Sequence, residues 1–248
     1  MQLSHIDKVS IRVIVMTIIS IFGLVYFFYA GGTILQLILI RIIAQFLSAA
    51  HTIGIHRWLC HYSFKPSTFG KYFMLTGLIS TGYGKPLYLA IAHGMHHKHT
   101  DTLLDPHSPK YLSFLKIWLG RYTMHENQYI IPTKFFRVKE AMFVNRHYWK
   151  LFFLFNLIIA CIDLKTALVL SPISFLYMWT FTAIITYYGH KQGDAIGPVN
   201  MNKVLVFLTL GEGLHKAHHD NPSSYDFGSD GRFDPGKKFI ELFLINKT

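Results

Sequence analysis

The chain carries apolar runs too long for the interior of an ordinary soluble domain, and these constrain its fold most. Residues 9–30 hold one charge, Arg12, and residues 33–55 hold one charge, Arg41. A bilayer core needs about 20 residues of helix, so these runs read as a first and a second span, joined by a tight turn at Gly31-Gly32. Residues 144–162 and 166–188 read as a third and a fourth, joined by Asp163-Leu164-Lys165. The expected fold class is therefore an all-α integral membrane protein, a single domain over 1–248. It has four transmembrane helices and a cytoplasmic helical cap made of regions 56–143 and 189–248. Arg41 and Gln45 are costly in lipid and are expected to face protein, whereas Arg12 can snorkel to the interface.

Composition sharpens this reading. The hydrophobic fraction is 51%, the charged fraction 15% and the formal net charge +11. Such a charge suggests nucleic acid, but the basic residues are dispersed among apolar runs, so no nucleic-acid partner is expected. Lys8, Arg12, Arg57, Lys65, Lys71, Arg146, Lys150 and Lys191 fall on one side of the four spans. The positive-inside rule makes that side cytoplasmic, with both termini there. The first apolar run is long enough to stay in the bilayer, with no cleavable signal peptide, and Cys60 and Cys161 have no metal-type spacing.

Between the spans the chain is mixed. Residues 72–92 are apolar but broken by Gly82, Gly84 and Pro86, so a helix pair in the interface is expected rather than a span. Apolar residues at helical spacing predict an amphipathic helix over 111–122 on the bilayer surface or core. Residues 200–210 read as an apolar helix, 221–236 as loop and 239–245 as a short apolar tail.

Of 15 histidines, eight fall in three clusters: His56 and His61; His93, His96 and His97; His215, His218 and His219. With His190, just past the fourth span, they make nine candidate metal ligands. Positions i, i+3 and i+4 share a helix face, so each H-x-x-H-H converges on a small volume. One metal takes about four to six ligands, so nine imidazoles point to two metals. Zinc has no redox chemistry and needs fewer ligands; a pair of irons is the better match. His56 and His61 pose a geometric problem. Five residues turn a regular helix by about 500°, leaving the two side chains roughly 140° apart. Either the span unwinds near Cys60, or each histidine serves a different side of the metal pair. Asp105, His107 and Glu212 are expected as supporting partners of ligating imidazoles. His51 reads as a satisfied polar contact, and His99, His125 and His147 as surface groups.

These motifs resemble the membrane-bound fatty-acyl desaturases of the stearoyl-CoA (Δ9) type, from about Thr52 to Phe227. The resemblance rests on Gly54-Ile55-His56-Arg57-Trp58 through His61, His93 through His97, Asp105-Pro106-His107, His190, and Gly211-Glu212-Gly213 with His215, His218 and His219. It implies a di-iron centre on the cytoplasmic side and O2-dependent removal of two hydrogens from an acyl chain, forming a cis double bond. It also implies electrons from a separate cytochrome b5 or ferredoxin. Two positions depart from the pattern. Thr186 stands where the family often has an Asn that reaches iron through water. Ile91 and Ala92 stand where acyl-CoA users often have an Arg-Asp pair, which leaves acyl-CoA, acyl-lipid and acyl-carrier-protein substrates open. An acyl chain has no polar handle at its reacting carbon, so an apolar tunnel must set its position, with walls expected from 72–89 and the fourth span. The alternatives are a related di-iron lipid hydroxylase, acetylenase or ketolase and, as a non-enzyme, a metal transporter.

Overall fold

The computed structural model describes residues 5–122, 129–130 and 132–246. Helix α1, His5–Tyr29, turns at Gly31 (φ +76°) into α2, Ile34–Thr52. Thr33 caps α2: its hydroxyl accepts from the Gln36 amide (3.2 Å), while the Gln36 side chain accepts from the Thr33 amide (2.9 Å). This reciprocal pairing satisfies two amides that a helix start otherwise leaves unpaired. Helices α3, Thr68–Ser80, and α4, Pro86–His99, form the expected broken pair. Gly82 and Gly84 have φ of +66° and +132° between them, values that open the chain to a turn no ordinary side chain favours.

Helix α6, Lys139–Ile162, kinks at His147 and meets α7, Leu164–Tyr188, at Asp163. Asp163 caps α7 by accepting from the Thr166 amide at 3.2 Å. Helix α7 is packed by α1, α2 and α6 and by the short α5, Phe114–Trp118. Being covered on several sides, it buries Val169, Phe175, Met178 and Trp179 around its circumference. A small hairpin, β1 (Lys191–Gln192) with β2 (Ala195–Ile196), leads to α8, Lys203–Leu208, then α9, His215–Asp220, and α10, Pro235–Phe239.

Three described helices are long and apolar enough to cross a membrane: Val9–Tyr29, Ile34–Cys60 and Leu164–Tyr188. Their outward residues, among them Ile21, Phe22, Ile38 and Ile42, are exposed. Helix α6 has the length, 24 residues, but Arg146, His147, Lys150 and Asn156 lower its hydropathy below that of the other three.

Several elements differ from expectation. The helix expected over 111–122 is only α5, because Gly120, at φ +65°, ends it. Residues 239–245 are not a free tail. A π-helical turn, Ile240–Leu244, continues α10 and buries Ile240 and Leu244 against α3, where Ser67 donates to the Leu244 carbonyl at 2.7 Å. Arg12 faces inward, its guanidinium 5.8 Å from the ring centres of Trp149 and Trp179. Arg41 meets protein as expected, bonding Gln45 (2.7 Å) and lying 4.1 Å over the Tyr177 ring. Arg57, counted above with the cytoplasmic charges, is completely buried. His51 is buried with Nδ1 2.8 Å from the Thr81 hydroxyl, as expected. His99 is not a free surface group, since its Nε2 is buried without a partner. His125 lies outside the described residues.

Candidate metal centre

The spacing problem at His56 and His61 is resolved by the backbone. Helix α2 does not stop at Thr52 but widens into a π-helical segment, Ile53–Cys60. The His61 amide donates to the His56 carbonyl at 3.2 Å, an i to i+5 bond. The wider turn brings the fifth residue back near the side of the first, and the two imidazoles enter one group. Tyr62, at φ +55°, turns the chain out of the helix immediately afterwards.

Two groups of histidines result. His56, His61, His93, His97 and His218 form one, and His96, His190, His215 and His219 the other; within each, the ring nitrogens lie within 4.8 Å of one another. Helix α4 sends His93 and His97 to the first group and His96 to the second, and α9 likewise splits His218 from His215 and His219. All nine expected ligands are therefore brought together, divided five and four.

The rings present Nε2 to one another. In the first group the Nε2 atoms of His61 and His93 are 2.7 Å apart, of His97 and His218 2.8 Å, and of His56 and His218 3.0 Å. In the second, His215 and His190 are 2.7 Å apart and His96 and His219 3.2 Å. Burial lowers the His93, His215 and His218 pKa values well below the ordinary imidazole range, and neighbouring imidazoles add to this. Burial likewise lowers His96 to about 4 and His97 to about 3. Neutral rings keep their lone pairs, so each group is a set of converging acceptors that a cation would satisfy.

Three of the outward nitrogens are held by carboxylates, while His218 Nδ1 is buried without a partner among the described residues. His96 Nδ1 donates to Asp105 (2.9 Å), His190 Nδ1 to Asp101 (2.9 Å) and His56 Nδ1 to Glu212. Such bonds fix the tautomer that leaves Nε2 free for a metal. Asp105 also accepts from His107 Nδ1 at 3.1 Å; burial works against its ionisation, yet His107 and His96 hold its pKa well below the usual carboxylate range. His96, Asp105 and His107 make a third, overlapping group. Asp105, His107 and Glu212 thus stand where supporting partners were expected. Thr186 is buried and lines the adjoining cavity. Asp101, Asp234 and the buried role of Arg57 escaped the sequence reading. Asp101 is four residues beyond His97, yet reaches His190 89 positions away, and no local spacing announces that contact.

A cavity of about 170 Å³ runs from the histidines into the helices. His56, His93, His96 and His215 form one end. Met178, Phe181 and Thr182 of α7, Ser48 and Thr52 of α2, and Tyr83 with Leu89 supply walls, as residues 72–89 and the fourth span were expected to. By helix rise, Ser48 lies about 12 Å deeper than His56.

A buried polyhistidine centre compatible with metal binding thus lies at one end of an apolar cavity, on helices long and apolar enough to cross a bilayer. The fatty acid desaturase family model matches residues 32–225, and this chain belongs to that membrane-bound family. It is 31% identical over 183 residues to the acyl-CoA 5-desaturase AL21 of Anemone leveillei, covering 68% of this chain and 56% of that protein. It is 25% identical over 193 residues to the Delta(9)-fatty-acid desaturase fat-7 of Caenorhabditis elegans, covering 70% and 57%. Against the stearoyl-CoA desaturase 5 of Bos taurus it is 21% identical over 216 residues, covering 77% and 63%. The chain thus spans less than two thirds of the length of these relatives.

Proposed function

We propose that the protein is an O2-dependent desaturase that introduces a cis double bond, of Δ9 type, into a saturated fatty-acyl chain. The observation that carries this is the opening of both histidine groups onto one end of an apolar cavity. His56, His61, His93, His97 and His218 hold one iron, and His96, His190, His215 and His219 the other. Bound there, the iron pair supplies the activation of O2 that removal of two hydrogens from an unactivated alkyl chain requires, with two further electrons from outside.

The chain's own residues do the rest. Asp101, Asp105 and Glu212 orient His190, His96 and His56. Met178, Phe181, Leu89 and Tyr83 exclude water and fix which carbons lie beside the histidines. Acyl-CoA is the first substrate to test, because the relatives are named for it, although Ile91 and Ala92 offer CoA no charge. A separate ferredoxin or cytochrome b5 supplies the electrons. The site faces the cytoplasm in a single domain of four spans, α6 being the third; Lys65, Lys71, Arg146, Lys150 and Lys191 support that orientation even without Arg57.

The test is expression in a lipid-producing host with gas chromatography and mass spectrometry of fatty acids, alongside iron analysis of the purified chain. New monounsaturated acids with about two irons per chain are expected. A hydroxylated product with no new double bond, or a chain that holds no iron, overturns the reading.

A further inference from the structure

One buried guanidinium ties the first histidine group to the C-terminal segment. Arg57 is adjacent to His56 on the π-helical turn, and all five of its N–H groups are used. Nε donates to Glu212 (3.0 Å), Nη1 to Asp234 (2.7 Å) and to the Tyr225 carbonyl (2.6 Å), and Nη2 to Asp234 (3.2 Å) and to the Leu210 carbonyl (3.2 Å). These acceptors come from three stretches of the C-terminal 40 residues and from no other part of the chain.

Asp234 is equally saturated. Besides Arg57 it accepts from the Phe227 amide (2.9 Å) and the Gly236 amide (2.8 Å), and it touches none of the nine histidines. The guanidinium carbon lies 3.8 Å over the Phe227 ring, and that ring is 4.7 Å from His218 and 5.8 Å from His56. Gly211 and Gly236 leave room for this: a Cβ on either would come within 2.6 Å of Nη2. Glu212, held on one oxygen by Arg57, holds His56 with the other.

From this we infer that Arg57 is a positioning residue that latches the 221–236 strap over the first histidine group, so that metal binding and strap closure are one coupled equilibrium. The inference rests on the metal-binding reading above. Lysine is no substitute, because a single ammonium presents three donors from one point and spans neither both carboxylates nor both carbonyls. Coupling of this kind is reciprocal: what the strap does for metal affinity, metal must do for the strap.

Arg232 sits in the strap with its side chain half exposed and reports strap opening through trypsin. The experiment uses the full chain in detergent, loaded with Fe(II) or stripped by chelator, as wild type, R57K, D234N and E212Q. In the wild type, stripping iron is expected to speed cleavage after Arg232. D234N, remote from every histidine, is expected to cleave faster even when loaded and to lose Fe(II) affinity about 10- to 100-fold, the range for supporting partners of metal ligands. R57K should behave like D234N, whereas E212Q should lose affinity with little change in cleavage. Equal cleavage of loaded and stripped wild type overturns the latch, as does a D234N chain that cleaves faster yet holds Fe(II) as wild type does. A wild type that binds no Fe(II) instead refutes the metal reading itself, so the two failures are told apart.

Discussion

His61 stands one π-helical turn beyond His56, its amide bonded to the His56 carbonyl at 3.2 Å, and both rings enter one five-histidine group. His51, five residues before His56, stays outside both groups because its ring is engaged by Thr81. The same spacing therefore separates a candidate ligand from a structural contact, and mutation should do so too. His61→Ala is expected to lose iron and desaturation together, whereas His51→Ala should retain iron. The latter removes the buried bond to Thr81, whose hydroxyl keeps the Leu78 carbonyl, and should cost about 1 kcal/mol of stability. Iron analysis and thermal denaturation of the two purified variants check this; equal iron loss would remove the distinction.

Asp105 serves His96 and His107 together, so its loss should be felt beyond one ring. Asp105→Asn is expected to lower Fe(II) affinity about 10- to 100-fold, with Asp101→Asn acting similarly through His190. Competition against a chelator of known strength measures both. Affinities equal to wild type would leave these carboxylates no part in orienting the ligands.

The cavity wall can be thickened without touching a histidine. Met178 lines it from α7 and is nearly buried. Met178→Trp should lower desaturation of long acyl chains at least about 10-fold, the lower end of the effect of one methylene on specificity, at unchanged iron content. Product analysis over a series of chain lengths reads it. Unchanged yields for every length would place the acyl chain elsewhere.

Acid should destabilise the metal-free chain through its buried imidazoles. Burial lowers His96 from 6.5 to about 4 and His97 to about 3. The unfolded chain therefore binds more protons than the folded one between those values and 6.5. Stability is full above 6.5 and falls as pH drops through that window. Bound metal should be released over a similar range, because protons compete for the same nitrogens. Denaturation midpoints from pH 7.5 to 4.5, with and without iron, should decline together; a flat profile would contradict neutral buried histidines.

Much of this was legible in the amino-acid order, for identifiable reasons. Three long apolar runs forced helices long enough to cross a bilayer, because a single segment satisfies its own backbone polar groups in lipid only as a helix. The periodicity of H-x-x-H-H fixed which imidazoles share a face. Helix α6 was less decided, its charges pulling against its length. The tertiary structure decided what periodicity leaves open. It widened one helix by a residue per turn so that His56 and His61 could meet, and it split each H-x-x-H-H between two groups. It also brought Asp101 to His190 and Arg57 to Asp234 across 89 and 177 positions. Those contacts join residues far apart in the chain, and only the packing of whole helices brings such residues within hydrogen-bonding range.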